Sequence, residues 1–309
     1  MSKIAVLFSG QGAQVVGMGK DFYQNNPTAK KIFDLGEKMN KGTLSICFEG
    51  SQEDLTKTEN AQPCLFLTSF AMAEVLKENG IHASAVAGFS LGEIPALAYS
   101  GILSFEDAFK LVVERGKIMA QLGKMHQGAM AAALKLDNST VEEVCKSFKE
   151  IWPVNYNCPG QLSCAGSIEE IDDFCKKIIE KGGRAVKLQV SGAFHTPYMN
   201  DASVVLKEKL NSMEINKMNI DMYSNKTGRI YPTLKEEVIE TIAKQVCSSV
   251  QFESILRNMY ASGIDTFIEV GAGKTLSGFV KRTLQNVNIY TINDLKSLDD
   301  TLKALKEGV

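Results

Sequence analysis

A serine between two glycines, Gly88-Phe89-Ser90-Leu91-Gly92, has the G-x-S-x-G spacing that presents a hydroxyl at the tip of a sharp turn. The glycines tolerate the tight backbone. A helix starting just after the serine would aim N–H groups and the positive end of its dipole at a developing oxyanion. The chemistry is acyl transfer through a serine ester, and it requires a base. The chain has 3 histidines. His82 precedes Ser90 along a strand-like run and, at about 3.3 Å per residue, sits at the wrong end of that strand. His126 stands beside Gly128, where the sequence changes rhythm, and reads equally well as an exposed or hinge residue. His195, in an irregular segment leading into a helix, is the base that elimination leaves, provided Ser90 is the nucleophile.

Two other glycine-rich segments fail as nucleotide sites. Gly10-Gln11-Gly12 follows a strand, but Val15 stands where a dinucleotide fingerprint needs its third glycine. Main-chain N–H groups around Gln11 could instead serve an oxyanion hole. Gly271-Ala272-Gly273-Lys274-Thr275 resembles the end of a P-loop, yet Ile268 occupies the position of the first glycine. No cluster of His, Cys or acidic residues has metal-ligand spacing.

The elements that must position these residues alternate between strand and helix. Lys3 to Phe8 reads as a buried strand, Ala61 to Lys77 as a helix, Ala83 to Gly88 as a strand and Leu91 to Tyr99 as a helix. Ser104-Phe105-Glu106-Asp107 caps a further helix expected to run to about Leu122 and end at Gly123, with Arg115 in its middle. Residues 125–191 then read β-α-β-β-α-β, which predicts a ferredoxin-like insert with its central hairpin at Asn157-Cys158-Pro159-Gly160 and Ser167 capping its second helix. Helices and strands resume after it. The expected fold class is α/β: a larger, α/β-hydrolase-like domain with a parallel-sheet core (1–124 and 192–309) and a smaller inserted α+β domain (125–191).

With 309 residues and 44% hydrophobic composition the chain can bury a full core. A net charge of -2 carries no footprint for nucleic acid, and no run of about eighteen apolar residues predicts a membrane span. The opening strand-like run is too short for a signal segment. The 7 cysteines are scattered without a CxxC pair, an odd count that predicts reduced thiols. Together these features predict a cytoplasmic protein with neither a nucleic-acid nor a membrane partner.

Taken in order, FSGQGAQ, GFSLGE, ERGKIM, NYNCPGQ, GAFHTPYM and EVGAGKTLSGFVKR resemble the malonyl-CoA:acyl-carrier-protein transacylases over nearly the whole chain. They are also similar to the acyltransferase domains of fatty-acid and polyketide synthases. The resemblance implies that Ser90 takes malonyl from coenzyme A and passes it to the phosphopantetheine thiol of holo acyl carrier protein, with His195 as base and then acid. It implies an oxyanion hole from the main-chain N–H groups of Gln11 and Leu91, and a main-chain carbonyl near Gln245 orienting the histidine. It places Arg115, with Met119 in its RGxxM context, where the free malonyl carboxylate is paired, a task suited to the guanidinium fork. Phe194 agrees with an AFH form that disfavours a methyl branch, a discrimination worth about 1–3 kcal/mol.

No resident cofactor or metal is implied; the coenzyme A thioester is substrate. Because carrier proteins are acidic, a basic docking surface including Lys187, Lys281 and Arg282 is expected. One departure stands beside the nucleophile: the family usually has histidine where this chain has Phe89. Three alternatives remain open on sequence: a free-standing polyketide-type acyltransferase, an acyl-thioester serine hydrolase, and a carrier-binding scaffold whose pocket Phe89 blocks.

Overall fold

The computed structural model describes residues 2–190 and 192–307. Two sheets organise them. The first has five parallel strands in the order β7-β2-β1-β8-β9, formed by β1 (Ile4–Phe8), β2 (Ala85–Gly88), β7 (Asp221–Met222), β8 (Thr266–Val270) and β9 (Asn288–Ile292). The runs AVAG in β2 and TFIEV in β8 are buried at every position, as expected of strands covered on both faces. Phe8 is in register with both Gly88 and Val270, so the loops after β1, β2 and β8 leave the same carboxyl edge of the sheet. Ligands of open α/β sheets bind at such an edge.

The second sheet is antiparallel, in the order β4-β5-β3-β6, with β3 (Gly128–Leu134), β4 (Ile151–Cys158), β5 (Gln161–Ser167) and β6 (Arg184–Lys187). Both its order and the helices Asn138–Lys146 and Ile171–Glu180 between its strands are those of a ferredoxin-like unit. Side chains alternate across it. Ala131, Ala133, Leu162 and Cys164 join Phe174 in a separate apolar core, whereas Met130, Ala132, Gln161 and Ser163 face the cleft between the sheets. Val250 makes main-chain bonds with β4 of this sheet, Val250 N to Val154 O at 2.7 Å and Tyr156 N to Val250 O at 2.9 Å, while its side chain is buried in the apolar cluster that includes Ala5, Leu7 and Phe267 of the first. The boundary expected at Ser191 and the last two residues of the expected larger domain lie outside the described residues.

Two local expectations are corrected. The helix capped by Ser104 spans Phe105–Met125 and passes through Gly123. That glycine permits a close approach, since a Cβ on Gly192 would come within 2.9 Å of Gly123 Cα. The second helix of the insert starts at Ile171, because Ser167 Oγ accepts from Glu169 N in a preceding turn and offers the helix no cap. The two-residue strand β7 gave no sequence signal. The seven cysteines are free thiols, and no helix among the described residues is long and apolar enough to cross a membrane.

Candidate active site

The turn after β2 is held by close backbone packing. A Cβ on Gly88 would lie 1.9 Å from Gly92 C, and one on Gly92 would lie 2.1 Å from Phe8 O, so the glycines flanking Ser90 are there for space. Ser90 itself has φ 50, a left-handed conformation unusual for a side-chain-bearing residue. Asn225 over-determines this geometry: its Oδ1 accepts from Ser90 N at 2.7 Å while its Nδ2 donates to Gly88 O at 2.6 Å.

Ser90 Oγ lies 2.7 Å from His195 Nε2. His195 also has a positive φ, 63, and its main-chain N–H donates to Val246 O at 3.1 Å. Its Nδ1 faces two carbonyls, Gln245 O at 3.0 Å and Ser248 O at 3.1 Å. Carbonyls only accept, so Nδ1 carries the proton and Nε2 presents its lone pair to the serine. Burial, then the positive field of Arg115, depress the His195 pKa to about 4, which keeps the ring neutral and proton-accepting near pH 7. His82 is exposed and His126 stacks on Tyr198, so neither reaches Ser90.

Arg115 is 1% exposed. Its Nη1 donates to Gln62 Oε1 at 2.9 Å, and its Nη2 donates to Gln245 Oε1 at 3.0 Å and to Ser90 Oγ at 3.2 Å. Its Nε has no partner, and no carboxylate among the described residues forms an ion pair with it. Burial lowers its pKa to about 10, against the favourable field of Glu93, so the guanidinium stays charged at neutral pH. Met119 Sδ accepts from Gln62 Nε2 at 3.5 Å and thereby sets which end of that amide meets Arg115.

The cleft over these residues has a volume of about 520 Å³ and takes in Gln11, Met119 and Phe194 together with Ser90, Arg115 and His195. Gln11 is anchored through Nε2 to Thr58 Oγ1 at 3.2 Å, and Leu91 directly follows Ser90 with its side chain buried. Phe89 packs edge-on against Phe252 at 5.4 Å between ring centroids and lies 5.8 Å from Phe279, leaving Ser90 and His195 in contact. Of the basic residues expected at the cleft mouth, Lys187 pairs with Asp172 and Arg282 donates to Gln161 at the cleft wall, while Lys281 lies on the Thr275–Thr283 helix. At the head of that helix Glu269 accepts from Leu276 N at 3.0 Å and Ser277 N at 2.7 Å, filling the place a P-loop would give to phosphate.

Sequence reasoning missed Gln62, Asn225, Ser248 and the side-chain role of Gln245. It also left Glu93 and Tyr231 unassigned; the carboxylate of Glu93, 1% exposed, accepts from Tyr231 Oη, Gln245 Nε2 and Asn225 N.

A parallel sheet that carries a strained serine at its carboxyl edge, within reach of a neutral histidine, defines a serine acyltransferase. The chain belongs to the acyl transferase domain family, whose pattern matches residues 6–300. It is similar to the malonyl CoA-acyl carrier protein transacylase of Bacillus subtilis (strain 168), 39% identical over 313 residues and covering 99% of this chain and 98% of that protein. The transacylase of the same name from Staphylococcus aureus (strain MRSA252) is 37% identical over 304 residues, covering 96% of this chain and 98% of its own. Among solved structures, the malonyl CoA-acyl carrier protein transacylase of Clostridium perfringens ATCC 13124 superposes with a TM-score of 0.94 at 39% identity, covering 99% of this chain and 98% of that one. A malonyl-transacylase in complex with its type II PKS acyl-carrier protein superposes with a TM-score of 0.94 at 29% identity, covering 98% of this chain and 100% of that chain.

Proposed function

We propose that this protein is a malonyl-CoA:acyl-carrier-protein transacylase that supplies fatty acid synthesis in the cytoplasm. The observation that carries the reading is Arg115, a buried guanidinium beside the nucleophile with only neutral acceptors around it. A buried cation with no carboxylate in direct contact, its nearest anion Glu93 lying behind the Gln245 amide, is costly unless the substrate brings a direct partner. A free carboxylate on the acyl group provides it, which supports malonyl over acetyl and over the neutral chains of a hydrolase substrate.

In the first half-reaction His195 Nε2 takes the Ser90 Oγ proton as Oγ attacks the thioester carbonyl. The oxyanion is met by the main-chain N–H groups of Gln11 and Leu91. The C–S bond breaks, coenzyme A leaves as a thiolate, and the proton passes from His195 to its sulfur. In the second half the phosphopantetheine thiol gives its proton to Nε2 and attacks the malonyl ester, and Ser90 Oγ recovers the proton. Gln245 and Ser248 hold the imidazole by carbonyls, a role carried elsewhere by a carboxylate. Met119 and Phe194 line the acyl end of the cleft. The coenzyme A thioester is substrate, and the scheme uses no resident cofactor or metal.

We further infer that residues 1–124 and 192–309 form the catalytic unit and that 125–191 form an insert covering it, with the basic residues Lys187, Lys281 and Arg282 on the side that meets the acidic carrier. The deciding measurement is intact mass after incubation with malonyl-CoA. One malonyl unit on Ser90, released onto holo carrier protein, is expected; a label on a cysteine, or carrier binding without loading, would overturn the reading.

A further inference from the structure

Glu93 follows the nucleophile turn as the first residue of the helix Glu93–Tyr99 and points into the protein behind Ser90. Its carboxylate has three donors: Tyr231 Oη on one oxygen, and Gln245 Nε2 at 3.0 Å and Asn225 N at 3.3 Å on the other. Gln245 Nε2 also donates to Ser90 O at 2.6 Å. A side-chain amide that faces a carboxylate and a carbonyl must turn its NH2 toward them and its oxygen the opposite way. That oxygen meets Arg115 Nη2 at 3.0 Å. The direction of one amide therefore decides whether the guanidinium meets an acceptor or a donor.

We propose that Glu93 is the positioning residue for carboxylate recognition: ionised, it fixes the orientation of the Gln245 amide and so holds Arg115 beside Ser90, ready for the malonyl carboxylate. This rests on the reading of Ser90 as nucleophile and Arg115 as carboxylate clamp. The titratable groups that face Glu93 are Tyr231, from the segment after β7, and Arg115, from the Phe105–Met125 helix, with Gln245 between them. Burial raises the Glu93 pKa to about 7, against the opposing pull of its hydrogen-bond donors and of Arg115. A protonated Glu93 gives up the anion that holds the Gln245 NH2, leaving the amide held only by Ser90 O and Arg115, so that both the amide and the guanidinium are less firmly placed. Malonyl loading then has an acid limb near pH 7, well above the limb set by His195, whose pKa is about 4.

The test measures single-turnover loading of Ser90 from malonyl-CoA and from acetyl-CoA across pH 4–9 for the full chain and for Glu93→Gln and Tyr231→Phe. Glu93→Gln is expected to slow malonyl loading at pH 8 about tenfold more than acetyl loading and to lose the limb near pH 7. Tyr231→Phe removes a donor that favours the carboxylate, so its limb moves to higher pH; this variant decides the matter if Glu93→Gln does not fold. Equal slowing of malonyl and acetyl loading with an unmoved limb would overturn the proposal. A wild-type protein that loads nothing onto Ser90 at any pH would instead overturn the transferase reading beneath it.

Discussion

The two walls of the cleft differ in how their polar groups are used. On the parallel-sheet side Ser90, Glu93, Asn225, His195 and Gln245 are tied together by short hydrogen bonds. Across from them Asn155 and Asn157, on β4, are 7% and 3% exposed, and each has an amide oxygen that meets no donor in the protein. A buried amide oxygen left unpaired costs about 1–3 kcal/mol, so capacity for hydrogen bonding is held in reserve on this wall. The contrast teaches a division of labour: one wall ties its polar groups to one another around Ser90 and His195, and the other turns unpaired acceptors toward the cleft.

That division can be broken or sharpened by substitution. The largest effect is expected at Ser90→Ala, which should cut malonyl transfer by at least about 10³-fold and remove the covalent label by mass. A variant that still transfers malonyl would move the chemistry off this wall. Arg115→Ala should slow malonyl loading about a hundredfold, equivalent to about 3 kcal/mol, while acetyl loading changes by less than about fivefold. Parallel losses in the two rates would remove the carboxylate role. On the opposite wall, Asn157→Ala should raise KM for malonyl-CoA by about three- to tenfold and leave kcat within about twofold. A fall in kcat at constant KM would erase the distinction between the walls.

The smallest effect is on stability. His195 has its folded pKa depressed from 6.5 to about 4, so the stability it contributes is present above pH 6.5 and declines as pH falls toward 4. His195→Gln lacks that decline. In urea titrations the variant should therefore gain on the wild type by about 1–2 kcal/mol between pH 7 and pH 5. A difference independent of pH would mean that the ring titrates in the folded protein as it does in the unfolded chain.

Much of the scaffold was legible because it is written locally. The β-branched and small apolar runs at 4–8, 85–88 and 266–270 announce strands, and the strand-to-helix turn around Ser90 is a short-range pattern. Ser90, His195 and Arg115 could be picked out by residue type, elimination and family likeness, and the geometry brings all three together. The groups that orient them were silent for a physical reason. Asn225 is 135 residues from the serine it braces, and Gln62 is 53 residues from Arg115. An amide that acts only through its direction has no spacing rule to reveal it. Gly123 misled because a glycine serving close approach looks, in sequence, like one ending a helix. The ring of Phe89 packs in an aromatic cluster with Phe252 and Phe279 and leaves Ser90 and His195 in contact.

Gln245 contributes its carbonyl to the base, its amide oxygen to Arg115 and its amide nitrogen to the backbone of the nucleophile. Selectivity and reactivity are thus pleiotropic at a single locus. An engineer who swaps the arginine for an apolar residue to admit a branched or uncharged acyl group also leaves the amide oxygen of the glutamine that steadies Ser90 without its donor. Descendants of this scaffold that change their acyl group must then compensate at position 245 or accept a slower enzyme, so new specificities on this fold should arrive as linked pairs of substitutions.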